Sequence, residues 1–171
     1  MINDTLTNKH LFTYHSNSSF KYKMKQILLL ISFTLITTFT QAQILEPVKW
    51  TFDTEKVDAN TVAVTFTATV DEGWYVYAQD IADGGPIPTE FTFETLKGCK
   101  TSGKVQEVGK VIKKYDGMFD MDLKYYKKQV QFKQLITLEG KGGVVEGYLT
   151  FMTCNGEKCL PPTDIDFKFE L

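Results

Sequence analysis

Apolar and polar side chains alternate along most of the chain after residue 43. Three segments carry this pattern most clearly, and their apolar members are Val62, Val64, Phe66, Ala68 and Val70, then Val130, Phe132, Ile136 and Leu138, then Ile165, Phe167, Phe169 and Leu171. Because successive side chains of a β-strand point to opposite faces, such alternation predicts strands with one buried and one exposed face. No convincing helical stripe of apolar residues accompanies them.

Further strands are predicted between these segments. They cover residues 49–54, 74–78, 90–95, 104–114 and 144–153, separated by turn-forming clusters such as Asp83-Gly84-Gly85-Pro86 and Gly140-Lys141-Gly142-Gly143. Seven to nine short strands at this spacing are typical of an all-β protein. We therefore expect an immunoglobulin-like antiparallel β-sandwich.

The first 42 residues predict a secretory signal peptide. Lysines at 21, 23 and 25 precede an apolar run over residues 27–39, which ends in Thr40-Gln41-Ala42. This is the order of a cleaved leader, and the run is shorter than the ~20 residues that a membrane-spanning helix needs. We expect cleavage after Ala42, with Met24 as an alternative start of translation. The mature chain, residues 43–171, is then one extracytoplasmic domain without a membrane span.

Charge and residue usage narrow the functions open to this domain. Residues 43–171 hold 15 lysines and 20 acidic residues, a net charge of −5, which argues against nucleic acid and anionic lipid as partners. The chain has no arginine, and its two histidines, His10 and His15, precede the apolar run of the leader. Without imidazole, a Ser-His-Asp triad, a Cys-His dyad and a histidine zinc site are excluded from the mature domain.

The remaining chemistry is concentrated in two cysteines near the C-terminus. Cys154 and Cys159 are separated by Asn155-Gly156-Glu157-Lys158, and Asn-Gly is a strong signal for a tight hairpin. Opposed residues of antiparallel strands have Cα atoms roughly 4.5–5.5 Å apart, which overlaps the range that a disulfide accepts. The spacing therefore predicts a Cys154–Cys159 disulfide.

Three interpretations of this pair remain open at this point: a redox-active disulfide, a structural staple, and a metal site. A staple is common in oxidising compartments, and Met118, Met121, Met152 or Cys99 could complete a Cu(I) site. Chain entropy disfavours the staple, because a loop of about six residues gives only ~2 kcal/mol, whereas pairing with Cys99 would close a loop of over fifty residues and give roughly 4 kcal/mol. Cys99 is expected to be a buried or unpaired thiol.

A family resemblance favours the redox interpretation. The segment Phe151–Pro162, FMTCNGEKCLPP, resembles the active-site segment of the N-terminal periplasmic domain of the thiol:disulfide interchange protein DsbD, an immunoglobulin-like sandwich. Residues 72–77, EGWYVY, are similar to the family's acidic-Gly-aromatic-Tyr-apolar-Tyr strand. Residues 117–126 are similar to its cap loop and the strand that follows. The resemblance covers most of residues 43–171.

The resemblance implies a periplasmic thiol:disulfide oxidoreductase that relays electrons without a cofactor or metal. A thioredoxin-like donor would reduce it, and a periplasmic disulfide isomerase or a cytochrome c maturation thioredoxin would accept the electrons. Cys159 would form the mixed disulfides and Cys154 would resolve them. Phe119 would cap the pair, and Tyr75 and Tyr77 would line the site. By residue type alone, Phe119 also fits a core position and the tyrosines a plain sheet face.

The chain departs from the family pattern in three respects. The spacing between the cysteines is one residue shorter than in the best-known members, and Gly117-Met118 replaces an acidic pair before the cap aromatic, which leaves Asp116 and Asp120 as nearby charges. The membrane core and thioredoxin domain of full-length DsbD do not occur in this sequence, so we expect electrons from another polypeptide. The rival hypothesis is a non-catalytic protein-binding sandwich whose disulfide rigidifies a loop.

Overall fold

A computed structural model describes residues 21–28 and 45–171 of the chain. Residues 21–28 are helical with exposed side chains, and no helix among the described residues has the length and apolar character needed to cross a membrane. Most of the predicted leader, including the cleavage site after Ala42, lies outside the described residues, so the signal peptide stays a prediction. The β-structure belongs to a unit that comprises Leu45–Leu171.

Nine strands form this unit, in agreement with the seven to nine predicted. They are β1 Val48–Lys56, β2 Thr61–Val70, β3 Tyr75–Tyr77, β4 Glu90–Lys97, β5 Cys99–Asp116, β6 Met121–Leu138, β7 Val144–Phe151, β8 Thr153–Cys154 and β9 Thr163–Glu170. All pairings are antiparallel. The large sheet has the order β1-β2-β6-β3-β8, with β5 on the opposite edge of β6, and the small sheet has the order β4-β7-β9.

Two of the five further strands differ from the prediction in continuity or by more than two residues at an end. The predicted strand 144–153 is interrupted at Met152, where the chain leaves the small sheet after β7 and enters the large sheet as β8. The predicted strand 104–114 extends to Cys99–Asp116, because β5 continues along its partner β6 past two bulges. Alternation of side chains cannot reveal either change, since it records the face of a residue and not the sheet to which it belongs.

The main core lies between the two sheets. The alternating residues of β2 and β6 supply fully buried members such as Val64, Phe66, Phe132 and Ile136, as their spacing predicts. Phe66 is central: its ring centroid lies 4.9 Å from that of Phe167 across the sandwich. Burial of such side chains, at about 1.5–3 kcal/mol each, makes the sandwich the main source of stability.

A second apolar cluster forms on the outer face of the large sheet. In β3, Val76 belongs to the main core, whereas its neighbours Tyr75 and Tyr77 belong to the second cluster. In β6, Tyr126 faces the main core, whereas Leu123 and Tyr125 join the second cluster. Since adjacent strand residues point to opposite faces, the two tyrosines of β3 stand on the side of the sheet away from the sandwich interior.

Candidate functional site

The cysteine hairpin begins in the two-residue strand β8. Tyr75 of β3 pairs with Cys154, and Cys154 in turn forms an antiparallel bridge with Cys159. The two cysteines are joined by a disulfide, with their Cα atoms 4.1 Å apart, slightly closer than the spacing rule suggests. The predicted cross-strand pair is thus confirmed.

Local hydrogen bonds explain why these four intervening residues form the turn. The Asn155 side-chain oxygen accepts hydrogen bonds from the backbone N–H groups of Glu157 and Lys158, each at 3.0 Å. The Asn155 N–H donates to the Lys158 carbonyl at 3.1 Å. Gly156 has φ of +90°, in the left-handed region that glycine adopts without steric cost. The turn is therefore stabilised by hydrogen bonds within its own four residues.

Hydrogen bonds attach the base of the hairpin to the large sheet, and its side chains pack on both faces of that sheet. The Thr153 hydroxyl donates to the Tyr75 carbonyl at 2.7 Å, and the Leu160 N–H donates to the Thr153 carbonyl at 2.9 Å. Leu160 packs against the main core, while its neighbour Cys159 packs against the second cluster. The disulfide is consequently held at the sheet edge with its sulfurs on the outer face.

The two sulfurs have unequal surroundings. Cys154 is only 1% exposed, and the Tyr77 hydroxyl donates to its Sγ at 3.2 Å. Cys159 is half-buried and lines an open cleft of about 410 Å³. A molecule approaching through the cleft meets Cys159, whereas Cys154 is covered.

Tyrosine rings form the wall of the cleft. Tyr75 lies edge-on to Tyr77 with ring centroids 5.5 Å apart, and it packs on Tyr125 at 4.5 Å. Burial raises the pKa of both Tyr75 and Tyr77 above the ordinary value, so their hydroxyls stay protonated and able to donate at neutral pH. The predicted lining residues Tyr75 and Tyr77 both border the cleft. Tyr125 also lines the cleft, which the sequence analysis did not predict. Its position two residues after Leu123 places the two side chains on the same face of β6.

Phe119 lies in the turn between β5 and β6. The Asp116 carboxylate accepts hydrogen bonds from the backbone N–H groups of Met118 (2.8 Å) and Phe119 (3.4 Å), which shapes this turn. The Phe119 side chain is half-buried and packs against the second cluster, with its ring nearly perpendicular to that of Tyr77 at 6.4 Å. Phe119 therefore packs on the cluster that contains Cys154 and is not part of the sandwich core.

The acidic residues near the cap have different positions. Asp116 is the acidic member of the described cleft lining. The Asp120 carboxylate instead accepts a hydrogen bond from the exposed Tyr115 hydroxyl. Of the two charges expected near the cap, only Asp116 thus borders the cleft.

Cys99 and the methionines complete the set of sulfur-bearing candidates. Cys99 is 5% exposed and unpaired in the main core, as expected, and burial raises the pKa of its thiol. Met121 and Met152 pack against the second cluster, and the exposed Met118 lines the cleft. Within residues 21–28 and 45–171, no cluster of three or more His, Cys, Asp or Glu side chains has an arrangement suited to a metal ion.

Comparison with known structures finds two N-terminal domains with some similarity to this one. The N-terminal periplasmic domain of ScsB from Proteus mirabilis is similar with a TM-score of 0.52 and 16% identity, over 72% of this chain and 46% of that chain. The reduced N-terminal domain of DsbD from Neisseria meningitidis has a TM-score of 0.41 and 18% identity, over 71% and 89% of the two chains. The chain spans less than half of the ScsB chain it matches. The ScsB likeness agrees with the predicted immunoglobulin-like sandwich.

The sequence comparison gives the family. No curated protein matches this chain. The family described as "Thiol:disulfide interchange protein DsbD, N-terminal" matches residues 41–171, a range that includes the sandwich, the cysteine hairpin and the turn that carries Phe119. The chain therefore belongs to the DsbD N-terminal domain family, whose members are thiol:disulfide interchange domains.

Proposed function

We propose that this domain is an electron relay in which Cys154 and Cys159 carry reducing equivalents between thioredoxin-like partners. The observation that carries the proposal is the unequal access to the two sulfurs. Cys159 borders an open cleft, while Cys154 is buried beneath the Tyr77 hydroxyl. A disulfide with one approachable sulfur suits sequential exchange with a partner, since exchange requires that an attacking thiolate reach one sulfur in line with the bond.

In the reduced domain, the Cys159 thiolate attacks a disulfide of the acceptor. A mixed disulfide forms, and one acceptor sulfur leaves as a thiolate. The Cys154 thiolate then attacks Cys159 Sγ, which releases the second acceptor sulfur and closes the Cys154–Cys159 bond. Two electrons pass to the acceptor, whose two thiolates take up the two protons that the domain's thiols release. Reduction by the donor dithiol follows the same steps in reverse.

Tyr77 is the residue best placed to assist the resolving step. Its hydroxyl donates to Cys154 Sγ in the disulfide form, and the same donor suits the Cys154 thiolate after reduction. A hydrogen bond to a charged acceptor is stronger than one to a neutral acceptor, so this contact favours the thiolate. Tyr75 supports the ring of Tyr77 from the side that faces the cleft.

Phe119 is the proposed cap. Its turn is held by hydrogen bonds to the carboxylates of Asp116 and Asp120, and its ring rests on the second cluster without entering the main core. Such a turn can open without disturbing the sandwich, because few buried contacts have to break. Displacement of the ring by a docking partner would widen the approach to the sulfurs beyond the cleft at Cys159, whereas the closed turn would limit the rate of exchange with other thiols.

The proposed location and partners follow the family. We assign the domain to the periplasm, with residues 1–42 as a cleaved signal peptide and Met24 as an alternative start. The donor is a thioredoxin-like protein, and the acceptor is a periplasmic disulfide isomerase or a cytochrome c maturation thioredoxin. The match to the DsbD N-terminal family and the likeness to a periplasmic domain of ScsB support this assignment.

The reduction potential of the Cys154–Cys159 bond tests the proposal. A relay bond is expected above about −300 mV, within reach of thioredoxin-like proteins, whereas structural disulfides typically lie below that value. Equilibration with thioredoxin in a Cys99→Ala background measures it without interference from the third thiol. A potential below −300 mV would instead support the protein-binding sandwich with a structural bond.

A matched pair of variants tests the assigned roles of the two cysteines. Cys154→Ala leaves Cys159 at the cleft and should accumulate a stable mixed disulfide with an added small disulfide such as 2-hydroxyethyl disulfide. Cys159→Ala leaves only the covered Cys154 and should react at least ~10-fold more slowly, since reactivity follows access as well as thiolate fraction. Equal rates for the two variants, or the reverse order, would contradict the assignment.

A further inference from the structure

The cleft beside Cys159 carries positive charge although the domain is acidic. Residues 43–171 have a net charge of −5. Two lysines, Lys114 from β5 and Lys127 from β6, nevertheless border the cleft, against the single carboxylate of Asp116. That carboxylate already accepts two backbone hydrogen bonds inside the cap turn. The side chains that line the cleft therefore carry two positive charges against one negative charge.

Two lysines near the cleft on the same strands, Lys113 and Lys124, form ion pairs. Lys113 lies 3.5 Å from the carboxylate of Asp122, and Lys124 pairs with Asp80. Among the described residues, neither Lys114 nor Lys127 has such a partner. The alternation of side chains along a strand explains this difference. Lys113 and Lys124 are paired across β5 and β6, next to the pair Lys114 and Leu123, so they point to the opposite face of the sheet. The lysines with intramolecular partners thus avoid the cleft.

Aromatic rings hold Lys127 in position. Its Nζ lies 6.0 Å from the centroid of the Tyr75 ring and 5.9 Å from that of Tyr125. A cation at this distance from two ring faces is attracted by both, which reduces the freedom of the long side chain. The ammonium group is consequently preorganised beside the wall of the cleft without being neutralised.

We propose that Lys114 and Lys127 recognise an acidic side chain that lies beside the reactive cysteine of the redox partner. The inference rests on the proposed function and specifies the partner chemistry at the same site. A carboxylate that enters the cleft with the partner's sulfur meets two ammonium groups and the hydroxyl of Tyr75. Complementary charge of this kind accelerates encounter and rejects partners of the wrong sign.

Small disulfides of different charge provide the test. The reduced Cys99→Ala protein is reacted with dithiodiglycolate, which carries two carboxylates, with neutral 2-hydroxyethyl disulfide and with cationic cystamine. The measured quantity is the rate with each charged reagent divided by the rate with the neutral one. Intrinsic differences between the reagents cancel when this ratio is compared between protein variants.

In the double variant Lys114→Gln/Lys127→Gln, the ratio for dithiodiglycolate should fall about 5-fold for each lysine removed, and the ratio for cystamine should rise. The estimate is the effect of about 1 kcal/mol for two charges ~4 Å apart in water. The difference between wild type and variant should shrink as ionic strength rises from about 10 mM to about 1 M, where screening reduces the interaction range from ~30 Å to ~3 Å.

The control variant, Lys56→Gln/Lys141→Gln, removes the same charge at the other end of β6. Lys56 pairs with Val62, which faces Ile136, and Lys141 follows the end of β6 at Leu138. Its ratios should change by less than about twofold, the effect of charges ~20 Å away. Equal changes in both double variants, or none in either, would overturn the inference. Absence of reaction with the neutral disulfide in the wild type would instead remove the proposed function itself.

Discussion

Replacing Phe119 with alanine separates the cap hypothesis from a purely structural role. The ring is half-buried, contacts the second cluster and lies 6.4 Å from Tyr77, while its turn is organised by backbone hydrogen bonds to Asp116. The substitution removes the apolar cover but leaves the groups that form the turn. It neither adds nor removes a charge, so the thiol pKa values should change little.

The size of the effect follows from the burial of the ring. Full burial of a Phe side chain contributes about 1.5–3 kcal/mol, so a half-buried ring contributes roughly 0.8–1.5 kcal/mol to the closed turn. If thiol exchange requires opening of the turn, loss of that contribution raises the open population, and with it the reaction rate, by about 4- to 13-fold. The free energy of unfolding should fall by a similarly small amount.

The assay is alkylation of the reduced Cys99→Ala protein by iodoacetamide, followed by mass spectrometry over a range of pH. The pH dependence gives the thiol pKa, and the plateau gives the rate set by access. Phe119→Leu, which retains an apolar cover, should lie between wild type and Phe119→Ala. Phe132→Ala serves as the core control, because Phe132 is fully buried and its truncation should cost about 3–5 kcal/mol.

The reasoning would be refuted by one combination of results. If Phe119→Ala reacts at the wild-type rate yet loses as much stability as Phe132→Ala, then Phe119 is a structural residue and does not cap the sulfurs. Faster alkylation with a shifted thiol pKa would point instead to an electrostatic change at the site.

Three further outcomes are expected. Reduction of the disulfide should lower the free energy of unfolding by ~2 kcal/mol or less, because the closed loop is short, and loss of the cooperative urea transition in dithiothreitol would contradict this. Tyr77→Phe should raise the pKa of the Cys154 thiol by up to about one unit, the effect of losing a ~0.5–1.5 kcal/mol hydrogen bond. Thiolate absorbance in the Cys99→Ala/Cys159→Ala background measures this pKa. An unchanged value would exclude stabilisation of the Cys154 thiolate by Tyr77. Burial raises the pKa of Tyr77 and Tyr126 above 10.0, so the folded state retains protons that the unfolded chain releases. Stability should therefore be full below about pH 10 and fall above it, less steeply in Tyr126→Phe, as followed by denaturation between pH 8 and 11.

The parts of the fold that depend on local pattern could be predicted from the sequence. The alternation around Phe66 and Phe132 identified buried strand positions, and Asn155-Gly156 identified the turn that brings the cysteines together. Cys99 was correctly separated from the pair. These features follow from strand periodicity and turn geometry, which act over a few residues.

The arrangement of the site could not be predicted in the same way. Alternation shows that Tyr75 and Tyr77 share a face, but not that this face lies outside the sandwich. The contact of Tyr125 and Lys127 with Tyr75 depends on the pairing of β3 with β6, across some fifty residues of sequence. Long-range register of this kind is set by the packing of the whole sheet, and no single segment encodes it.

The place where the chain rejoins the small sheet after the cysteine segment has a consequence for how cysteine spacing can vary within the family. Phe151, the last residue of β7, pairs with Thr163, the first residue of β9, so the chain leaves and re-enters the small sheet at one place. The redox hairpin is therefore part of the loop that connects β7 to β9, and the pairing of these two strands does not depend on it. Adding a residue to such a loop costs only a fraction of a kcal/mol in closure entropy. Evolution can then alter the spacing of the two cysteines, and with it their chemistry, while the sandwich beneath keeps the same strand pairing.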